Sequence, residues 1–375
     1  MLRFGFLSTY PPTRCGLATF TEALASALRS GGLGEPVIVR VLEQSEGQVE
    51  NRFGISSVTT ELIHGDAESR AASIRTLNQC DVVIVQHEYG IYGGYDGDEV
   101  VAVMEGLTLP TIVVLHTVLA TPTPHQKLVL ERLAALATSV VVMSDHPYDL
   151  LSTLYEVEMG KVDIIPHGVP DRVGSTSPSP GRNVITWGLI GPGKGIEWGV
   201  RAMARLSDMD PRPHYTVIGR THPKVLKQFG EQYREDLVAL VKQLGLEDMV
   251  TFVDDYLDST QLAEQLAQAD AVLLPYDTRD QVTSGVLIEA VAAGKPVIST
   301  SFPHAVELLS DGAGIIVPHG DADAIAQAVR SVLGDRRRAQ RMAVAASRAT
   351  AGTGWLEVAA QYRALADKIL ANQAA

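Results

Sequence analysis

Cysteine is almost absent from this chain of 375 residues, which contains only Cys15 and Cys80. Two cysteines cannot form the several crosslinks that hold small secreted domains together, and these two lack the paired spacing of a zinc site. We therefore expect neither a disulfide framework nor a structural metal.

Long apolar runs are also missing, since no stretch approaches the roughly 18 consecutive apolar residues of a membrane-spanning helix. The first residues, MLRFGFLSTYPP, lack the basic start and the longer apolar run of a secretory signal. Hydrophobic residues make up 46% of the chain and charged residues 20%, a composition typical of globular proteins. We expect a cytoplasmic protein without a transmembrane segment.

Positive charge is in short supply, because 31 Lys and Arg stand against 44 Asp and Glu, a net charge of -13. Such an acidic chain argues against nucleic acid as a general partner. Most of the acidic excess lies in the first 180 residues. Docking to anionic lipids usually needs a basic patch, so a soluble acceptor molecule is favoured, while a peripheral membrane contact stays open.

Short apolar segments rich in β-branched residues alternate with amphipathic helical patterns along the chain. Near-continuous runs such as VVIV, TIVVL and SVVVM are typical of strands buried on both faces of a parallel sheet. This alternation predicts an α/β fold with doubly wound parallel sheets. The predicted strands are Arg3–Ser8, Val37–Val41, Asp81–Gln86, Thr111–His116, Ser139–Met143, Val162–Pro166, Val184–Gly188, Tyr215–Gly219, Val250–Val253, Ala271–Pro275, Pro296–Ser299 and Gly314–Val317.

A break in this alternation falls at DRVGSTSPSPGRN, where Gly, Ser and Pro dominate and no apolar period remains. Such a segment is typical of an exposed linker, and the chain length suits two domains. We therefore predict Rossmann-like domains over residues 1–171 and 184–350, joined by a linker over 172–183. Open parallel sheets bind ligands at the carboxyl ends of their strands.

The most informative segment is LPYDTRDQVTSGVLIEAVAAGKPV, from Leu274 to Val297. An apolar strand ends, a polar loop follows, and a helix opens at Ser284. The first N–H groups of a helix and its dipole attract an anion, so Ser284, Gly285 and Val286 are predicted to bind phosphate. Glu289 lies one turn further on the Gly285 side, where it can accept hydrogen bonds from two ribose hydroxyls.

This segment is similar to the donor-nucleotide motif of the retaining glycosyltransferases of family 4, which have the GT-B fold. Glu289 matches the second acid of that motif, whereas the first falls on Gln281. The resemblance continues in STYPPTRCGLATF, HTV, PHGVPD and GPGKG. It implies two Rossmann-like domains facing each other across a cleft, with the acceptor bound by the first domain and a nucleotide-diphospho-sugar by the second. It also implies that residues 351–375 form a helix crossing back toward the first domain, and that no metal is needed.

The same resemblance assigns roles to individual residues. Gly16 would donate its N–H to the diphosphate, although a glycine required only by loop geometry is the alternative. His116 would contact the transferred sugar, and Gly193 and Lys194 would bind the diphosphate. His87, Glu88, Tyr92 and Gly93, from the segment QHEYGIYGGYDG, would form the acceptor pocket, with Glu88 as a candidate general base. The alternative for this segment is loop geometry with a solvated acid.

Two positions depart from the family pattern. The arginine expected five residues before Lys194 is Leu189, and we hypothesise that Arg220, which follows the next strand, supplies the missing guanidinium. A surface arginine is the alternative. At Gln281 an amide replaces an acid, so hydrogen bonding to the donor sugar can survive but the negative charge is lost.

Another motif is misleading. Gly188 to Lys194 matches the G-x-x-x-x-G-K pattern of phosphate-binding loops, but Gly195 stands where a Ser or Thr must hold Mg²⁺, and Pro192 lacks an N–H. We therefore disfavour an ATPase or kinase. The Asp254-Asp255 pair is more simply a solvated or capping pair than a metal site.

The sequence thus predicts a retaining, metal-independent hexosyltransferase that uses a GDP- or UDP-linked sugar and a sugar or small-molecule acceptor. Similarity to mannosyltransferase-like members through HEYGIYGG, GxTHP and TSG favours GDP-mannose. One alternative is a catalytically silent nucleotide-sugar-binding protein, which the changes at Leu189 and Gln281 would explain. The second alternative is another GT-B activity, such as an epimerase or a glycogen-synthase-like polymerase.

Overall fold

The computed structural model describes residues 1–43, 57–170, 182–278 and 284–374. Residues 172–181 of the predicted linker and the candidate site residue Gln281 lie outside this part of the chain.

Thirteen β-strands are found in the described residues. Their bounds are β1 Arg3–Ser8, β2 Glu35–Leu42, β3 Val58–Ile63, β4 Val82–His87, β5 Thr111–Leu115, β6 Ser139–Val142, β7 Val162–Ile164, β8 Asn183–Trp187, β9 His214–Ile218, β10 Val250–Val253, β11 Ala271–Leu274, β12 Val297–Thr300 and β13 Gly314–Val317.

The described residues also form fourteen α-helices. They are α1 Gly16–Ser30, α2 Ala67–Leu77, α3 Glu99–Glu105, α4 Pro124–Leu136, α5 Asp145–Leu154, α6 Ile196–Ala204, α7 Pro223–Phe229, α8 Gln232–Leu244, α9 Ser259–Gln268, α10 Gly285–Ala292, α11 Pro303–Leu309, α12 Ala322–Gly334, α13 Arg336–Ala349 and α14 Trp355–Ala374. Within the described ranges, none of these helices has the length and apolar character needed to cross a membrane.

The chain divides into two compact units. The first contains Met1–Gly168 together with Gly352–Ala375, and the second contains Val169–Ala351.

The first unit is built on a parallel sheet with the strand order β3-β2-β1-β4-β5-β6-β7. Successive side chains of a strand point to opposite faces, so each strand contributes side chains to two cores. On β4, Val83 and Val85 pack in one core, whereas Val82 and Ile84 pack in the other. Burial on both faces explains why these strands read as continuous apolar runs.

The last helix, α14, packs within the first unit and not with the segment that precedes it in sequence. Its inward face presents Val358, Tyr362 and Ala366 to the core that also holds Phe20 and Leu24 of α1. The spacing of four residues keeps these three side chains on one helix face.

The second unit has a six-stranded parallel sheet with the order β10-β9-β8-β11-β12-β13. Its strands again serve two cores: Val184 of β8 packs on one face, and Ile185 and Trp187 pack on the other. Both sheets continue away from their first strands in two directions, which is the doubly wound topology. The predicted fold class is confirmed.

Strand β3 was not among the predicted strands. Half of its sequence, VTTELI, is polar, and Leu62 is its one fully buried residue. It pairs only with β2 at the sheet edge. An edge strand needs little apolar surface, so it lacks the signal that identifies the central strands.

Tyr362 allows a matched test of how α14 stabilises the first unit. The side chain is fully buried, and its hydroxyl has no hydrogen-bond partner among the described residues. Tyr362→Ala should lower the free energy of unfolding by about 3–5 kcal/mol, because it leaves a large cavity. Tyr362→Phe should be neutral or slightly stabilising, because it removes only an unsatisfied hydroxyl. Urea unfolding measures both, and equal stability of the two variants would show that α14 does not support this core.

Candidate functional site

The carboxyl edge of the second sheet carries a tight glycine-containing loop between β8 and α6. Gly195 ends it with a positive φ of 58°, and a Cβ there would clash with the carbonyl oxygen of Pro275. The carbonyl of Gly193, whose φ is 88°, accepts the N–H of Asp277 at 2.9 Å. Both glycines are therefore required by the close approach of this loop to the end of β11.

Lys194 lies between these two glycines. Its Nζ sits 4.2 Å from the ring centroid of Tyr276, a cation–π contact. Within the described part of the chain, no carboxylate pairs with this ammonium. Its positive charge is thus not compensated by an acid among the described residues of its own unit.

The N-terminus of α10 presents fewer phosphate donors than the sequence predicted. The Ser284 side chain caps the helix by accepting the N–H of Leu287 at 3.3 Å. The Ser284 N–H donates to Nδ1 of His304 at 2.9 Å, so it is not available to an anion in this structure. The N–H groups of Gly285 and Val286 have no protein partner among the described residues.

Glu289 lies one turn further along α10 and is partly buried. The indole Nε1 of Trp187 donates to its Oε2 at 3.1 Å, which leaves Oε1 to accept another hydrogen bond. Burial raises the pKa of Glu289 to about 7, against the lowering effect of the Trp187 hydrogen bond. The carboxyl is fixed in direction and changes its protonation state near neutral pH.

Arg220 follows β9, and the strand register places it beside Leu189. Trp187 pairs with Ile218, and Ile190 pairs with Thr221, so Leu189 and Arg220 are opposite each other. The Ile190 N–H donates to the Arg220 carbonyl at 2.8 Å, which ties the two segments together. The Arg220 guanidinium is half-exposed and lies 4.0 Å from an oxygen of Asp255, a loose pair.

The first unit holds His116 at the end of its sheet, directly after β5. Its Nε2 lies 2.6 Å from Oε1 of Gln86, and its ring meets Phe20 edge-on at 4.9 Å. An amide oxygen only accepts hydrogen bonds, so we assign the proton to Nε2, which leaves Nδ1 as an acceptor.

His87 and His167 lie near His116. His87 is fully buried, and neither ring nitrogen has a hydrogen-bond partner among the described residues. Burial lowers the pKa of His87 to about 4, that of His116 to about 3 and that of His167 to about 4. All three rings are therefore neutral at physiological pH.

The remaining acceptor-pocket candidates make contacts within their own loop and strands. Glu88 accepts the N–H of Gly90 at 3.2 Å. The Tyr92 hydroxyl is directed at the carbonyl oxygens of Gln86 and Leu7, at 2.7 and 3.2 Å. These contacts give Tyr92 a structural role, and its acceptor role stays a prediction.

Two candidate glycines, Gly93 and Gly16, differ in the space that a side chain would find. At Gly93, a Cβ would clash with the carboxylate of Glu99, so packing alone requires it. Gly16 is the exposed first residue of α1, and a Cβ there would meet nothing within 4 Å. Packing therefore does not explain Gly16, whereas the approach of a ligand to its backbone would.

Sequence reasoning missed three residues of this site: Trp187, Tyr276 and His304. Each contacts a predicted site residue: Trp187 contacts Glu289, Tyr276 contacts Lys194, and His304 contacts Ser284. An aromatic residue at the last position of a strand, as Trp187 is, was the available signal. The partner of His304 could not be read from sequence, because it is 20 residues away.

Two acidic residues near the site, Asp254 and Asp255, contact arginines. Asp254 pairs with Arg234 at 3.2 Å. In the ranges that the structure covers, no three His, Cys, Asp or Glu side chains are grouped so that they could hold a metal ion.

Comparison with known proteins gives this geometry a family context. The family model described as glycosyl transferases group 1 matches residues 171–349, which is nearly the whole second unit. The Anabaena protein HepE, solved in complex with UDP and glucose, aligns with a TM-score of 0.77 at 18% identity, over 98% of this chain and 100% of that chain. This likeness shows that the fold is GT-B.

Curated relatives match over shorter stretches. The D-inositol 3-phosphate glycosyltransferase of Nocardia farcinica is 29% identical over 221 residues, 56% of this chain and 48% of that protein. The GDP-mannose-dependent alpha-(1-6)-phosphatidylinositol monomannoside mannosyltransferase of Mycolicibacterium smegmatis is 31% identical over 168 residues, 43% of this chain and 41% of that protein. The chain thus spans about half the length of these relatives.

The neutral histidines of the first unit predict loss of stability in mild acid. Their pKa values are lowered to about 3 or 4 in the folded protein and return toward 6.5 on unfolding. Their contribution is thus complete above pH 6.5 and is lost as the pH falls toward 4. Each ring should cost on the order of 1–2 kcal/mol of unfolding free energy at pH 5, as measured by urea unfolding between pH 7.5 and 5.

His87→Phe is the matched control for this prediction. It keeps an aromatic ring in the core but removes one titrating group, so its unfolding free energy should fall less steeply with acid. The same pH slope in His87→Phe and in the parent protein would contradict the prediction.

Proposed function

We propose that this chain, whose residues 171–349 belong to the glycosyl transferases group 1 family, is a retaining glycosyltransferase. It would move a hexose from a nucleotide-diphospho-sugar to a hydroxyl of a sugar or another small acceptor. The observation that carries the proposal is a combination on one helix: the N–H groups of Gly285 and Val286, which no described residue accepts, together with the oriented carboxyl of Glu289.

The donor nucleotide would be held by α10. Phosphate oxygens accept the N–H groups of Gly285 and Val286, aided by the positive end of the helix dipole. Oε1 of Glu289 accepts a ribose hydroxyl, while Trp187 holds the other carboxylate oxygen in place. A second ribose hydroxyl can share Oε1, because each carboxylate oxygen has two lone pairs.

Departure of the diphosphate needs positive charge. Lys194 offers an ammonium that no carboxylate of the described residues pairs with. Arg220 lies in register beside Leu189, the position at which the family pattern has a cation. Electrostatic stabilisation of a leaving group of this kind contributes several kcal/mol to catalysis in enzymes generally. The proposed chemistry is therefore mainly positioning and charge neutralisation.

The first unit would serve the sugar and the acceptor. Nδ1 of His116 is an acceptor for a sugar hydroxyl, because Gln86 occupies Nε2. His87 and Glu88 would contact the acceptor, and Gly16 would donate its N–H to the diphosphate. The acceptor hydroxyl would attack on the face that the diphosphate leaves, and the departing phosphate oxygen would take its proton. This route retains the anomeric configuration and needs neither an enzyme nucleophile nor a metal.

GDP-mannose is the proposed donor, supported by the similarity to a mannosyltransferase whose name specifies GDP-mannose. The fold neighbour from Anabaena was solved with UDP, so UDP-sugars are the direct competitors. The proposed setting is the cytoplasm.

A silent nucleotide-sugar-binding protein is the second candidate. Leu189 in place of a cation and Gln281 in place of an acid favour it, because both changes remove charge that the transfer step would use. It predicts binding of the nucleotide with no turnover of any donor.

Calorimetric titration with GDP, UDP and ADP in EDTA tests the donor site. One nucleotide should bind in the micromolar range, and Glu289→Ala should weaken it about 10- to 100-fold, because hydrogen bonds to a charged acceptor are lost. With Glu289→Gln as the control, the advantage of the native carboxylate should grow as the pH rises through about 7, the pKa of Glu289. Absence of binding in a folded protein would overturn the proposal.

Turnover decides between the two candidates. Incubation with the preferred nucleotide-sugar and a panel of sugar acceptors, in EDTA, should give a product with the anomeric configuration of the donor. An inverted product would refute the retaining mechanism, and tight binding without any product would favour the silent protein.

Arg220→Ala should lower kcat by roughly 10²–10³, the usual loss when a group that stabilises developing charge is removed. Arg212→Ala is the matched control, because Arg212 is an exposed arginine of the same unit that pairs with Asp248 at 3.0 Å. Near-native activity of Arg220→Ala would mean that Arg220 does not replace the cation missing at Leu189.

A further inference from the structure

The ammonium of Lys194 is held by an aromatic ring and not by an acid. Nζ stands 4.2 Å from the centroid of the Tyr276 ring, and the described residues provide no carboxylate for it. The lysine is partly buried in a loop that is fixed on either side by Gly193 and Gly195. The ring is therefore the one identified partner of this charge within the described part of the chain.

Tyr276 is itself fixed on three sides. Its side chain is 1% exposed, and its ring stacks on Phe302 with centroids 5.4 Å apart and planes 19° apart. Its carbonyl oxygen accepts Oγ1 of Thr300 at 2.7 Å and faces Nδ1 of His319 at 2.7 Å. Tyr276 is the second residue after β11, which ends at Leu274, so the ring lies at the carboxyl edge of the sheet.

The choice of an aromatic partner has an electrostatic consequence. A carboxylate would neutralise the ammonium, and an incoming phosphate would have to displace it. The face of an aromatic ring attracts a cation through its quadrupole without carrying a net charge. An ammonium held this way keeps its full charge for an anion and loses fewer rotamers when the anion arrives.

We propose that Tyr276 is a positioning residue for Lys194, which holds the ammonium in place for the diphosphate without competing with it. This inference rests on the proposed function, because it takes a nucleoside diphosphate as the anion that Lys194 meets. This role requires no contact between Tyr276 and the donor.

Substitutions at Tyr276 separate the ring face from the rest of the side chain. The Tyr276 hydroxyl is buried and has no hydrogen-bond partner among the described residues, so Tyr276→Phe should preserve nucleoside diphosphate affinity within about twofold. Tyr276→Leu removes the ring face and should weaken that affinity roughly three- to tenfold, the range of a desolvated cation–π contact. The loss should also appear in kcat/KM.

Graded fluorination of the ring at position 276 tests the same contact without the leucine variant, which could misfold. Phenylalanine with one, two or three ring fluorines at position 276 keeps almost the same volume but progressively weakens the negative ring face. Diphosphate affinity should fall steadily with the number of fluorines, at an unchanged unfolding midpoint. Affinity that does not follow fluorination would overturn the proposal.

A double-mutant cycle with Lys194→Ala identifies the route of the effect. If Tyr276 acts through Lys194, then Tyr276→Leu should cost nothing further in the Lys194→Ala background. Equal losses from Tyr276→Leu in both backgrounds would show that the ring merely supports the fold.

The same cycle keeps this inference distinct from the proposed function. If Lys194→Ala alone leaves nucleoside diphosphate binding unchanged, then the proposed role of Lys194 fails, and the role of Tyr276 fails with it. If Lys194→Ala weakens binding but Tyr276→Leu does not, then only the positioning role is wrong.

Discussion

Burial of both sheets on both faces is the constraint on which the rest of this structure depends. Central strands such as β4 and β11 are entirely buried along their length. Polar groups there would need partners inside the core, so most of the chemistry is confined to the positions where strands end. His116, Trp187, Tyr276 and Arg220 all lie at or directly after a strand's carboxyl end.

The two units differ in the charge of the side chains at those strand ends. In the first, burial keeps the rings of His87, His116 and His167 neutral, which suits the recognition of uncharged hydroxyl groups. In the second, the ammonium of Lys194, which pairs with no carboxylate among the described residues, and the N-terminus of α10 each favour an anion. This difference is what the proposed function requires of residues that bind an uncharged sugar and of residues that bind a diphosphate.

Local patterns predicted much of the fold and part of the site. Twelve of the thirteen strands in the described residues were predicted from sequence, whereas the edge strand β3 was not. The expectation that Ser284, Gly285 and Val286 all offer N–H groups followed from the rule for helix N-termini. For Ser284 the rule did not foresee that His304 from a later helix accepts this N–H in the structure, so phosphate binding by Ser284 stays a prediction. No local rule contains a partner 20 residues away.

The sequence by itself determined the α/β class and the positions of Glu289, Lys194 and Arg220 near strand and helix ends, because these depend on local periodicity and on turn chemistry. The GT-B fold was implied only by the resemblance to family 4. The tertiary structure alone decided how those groups are set. It brought Trp187 to Glu289 across 102 residues, and Tyr276 beneath Lys194. It also placed Arg220 beside Leu189 through the register of β8 and β9. Direction, protonation and charge compensation depend on neighbours that only packing brings together.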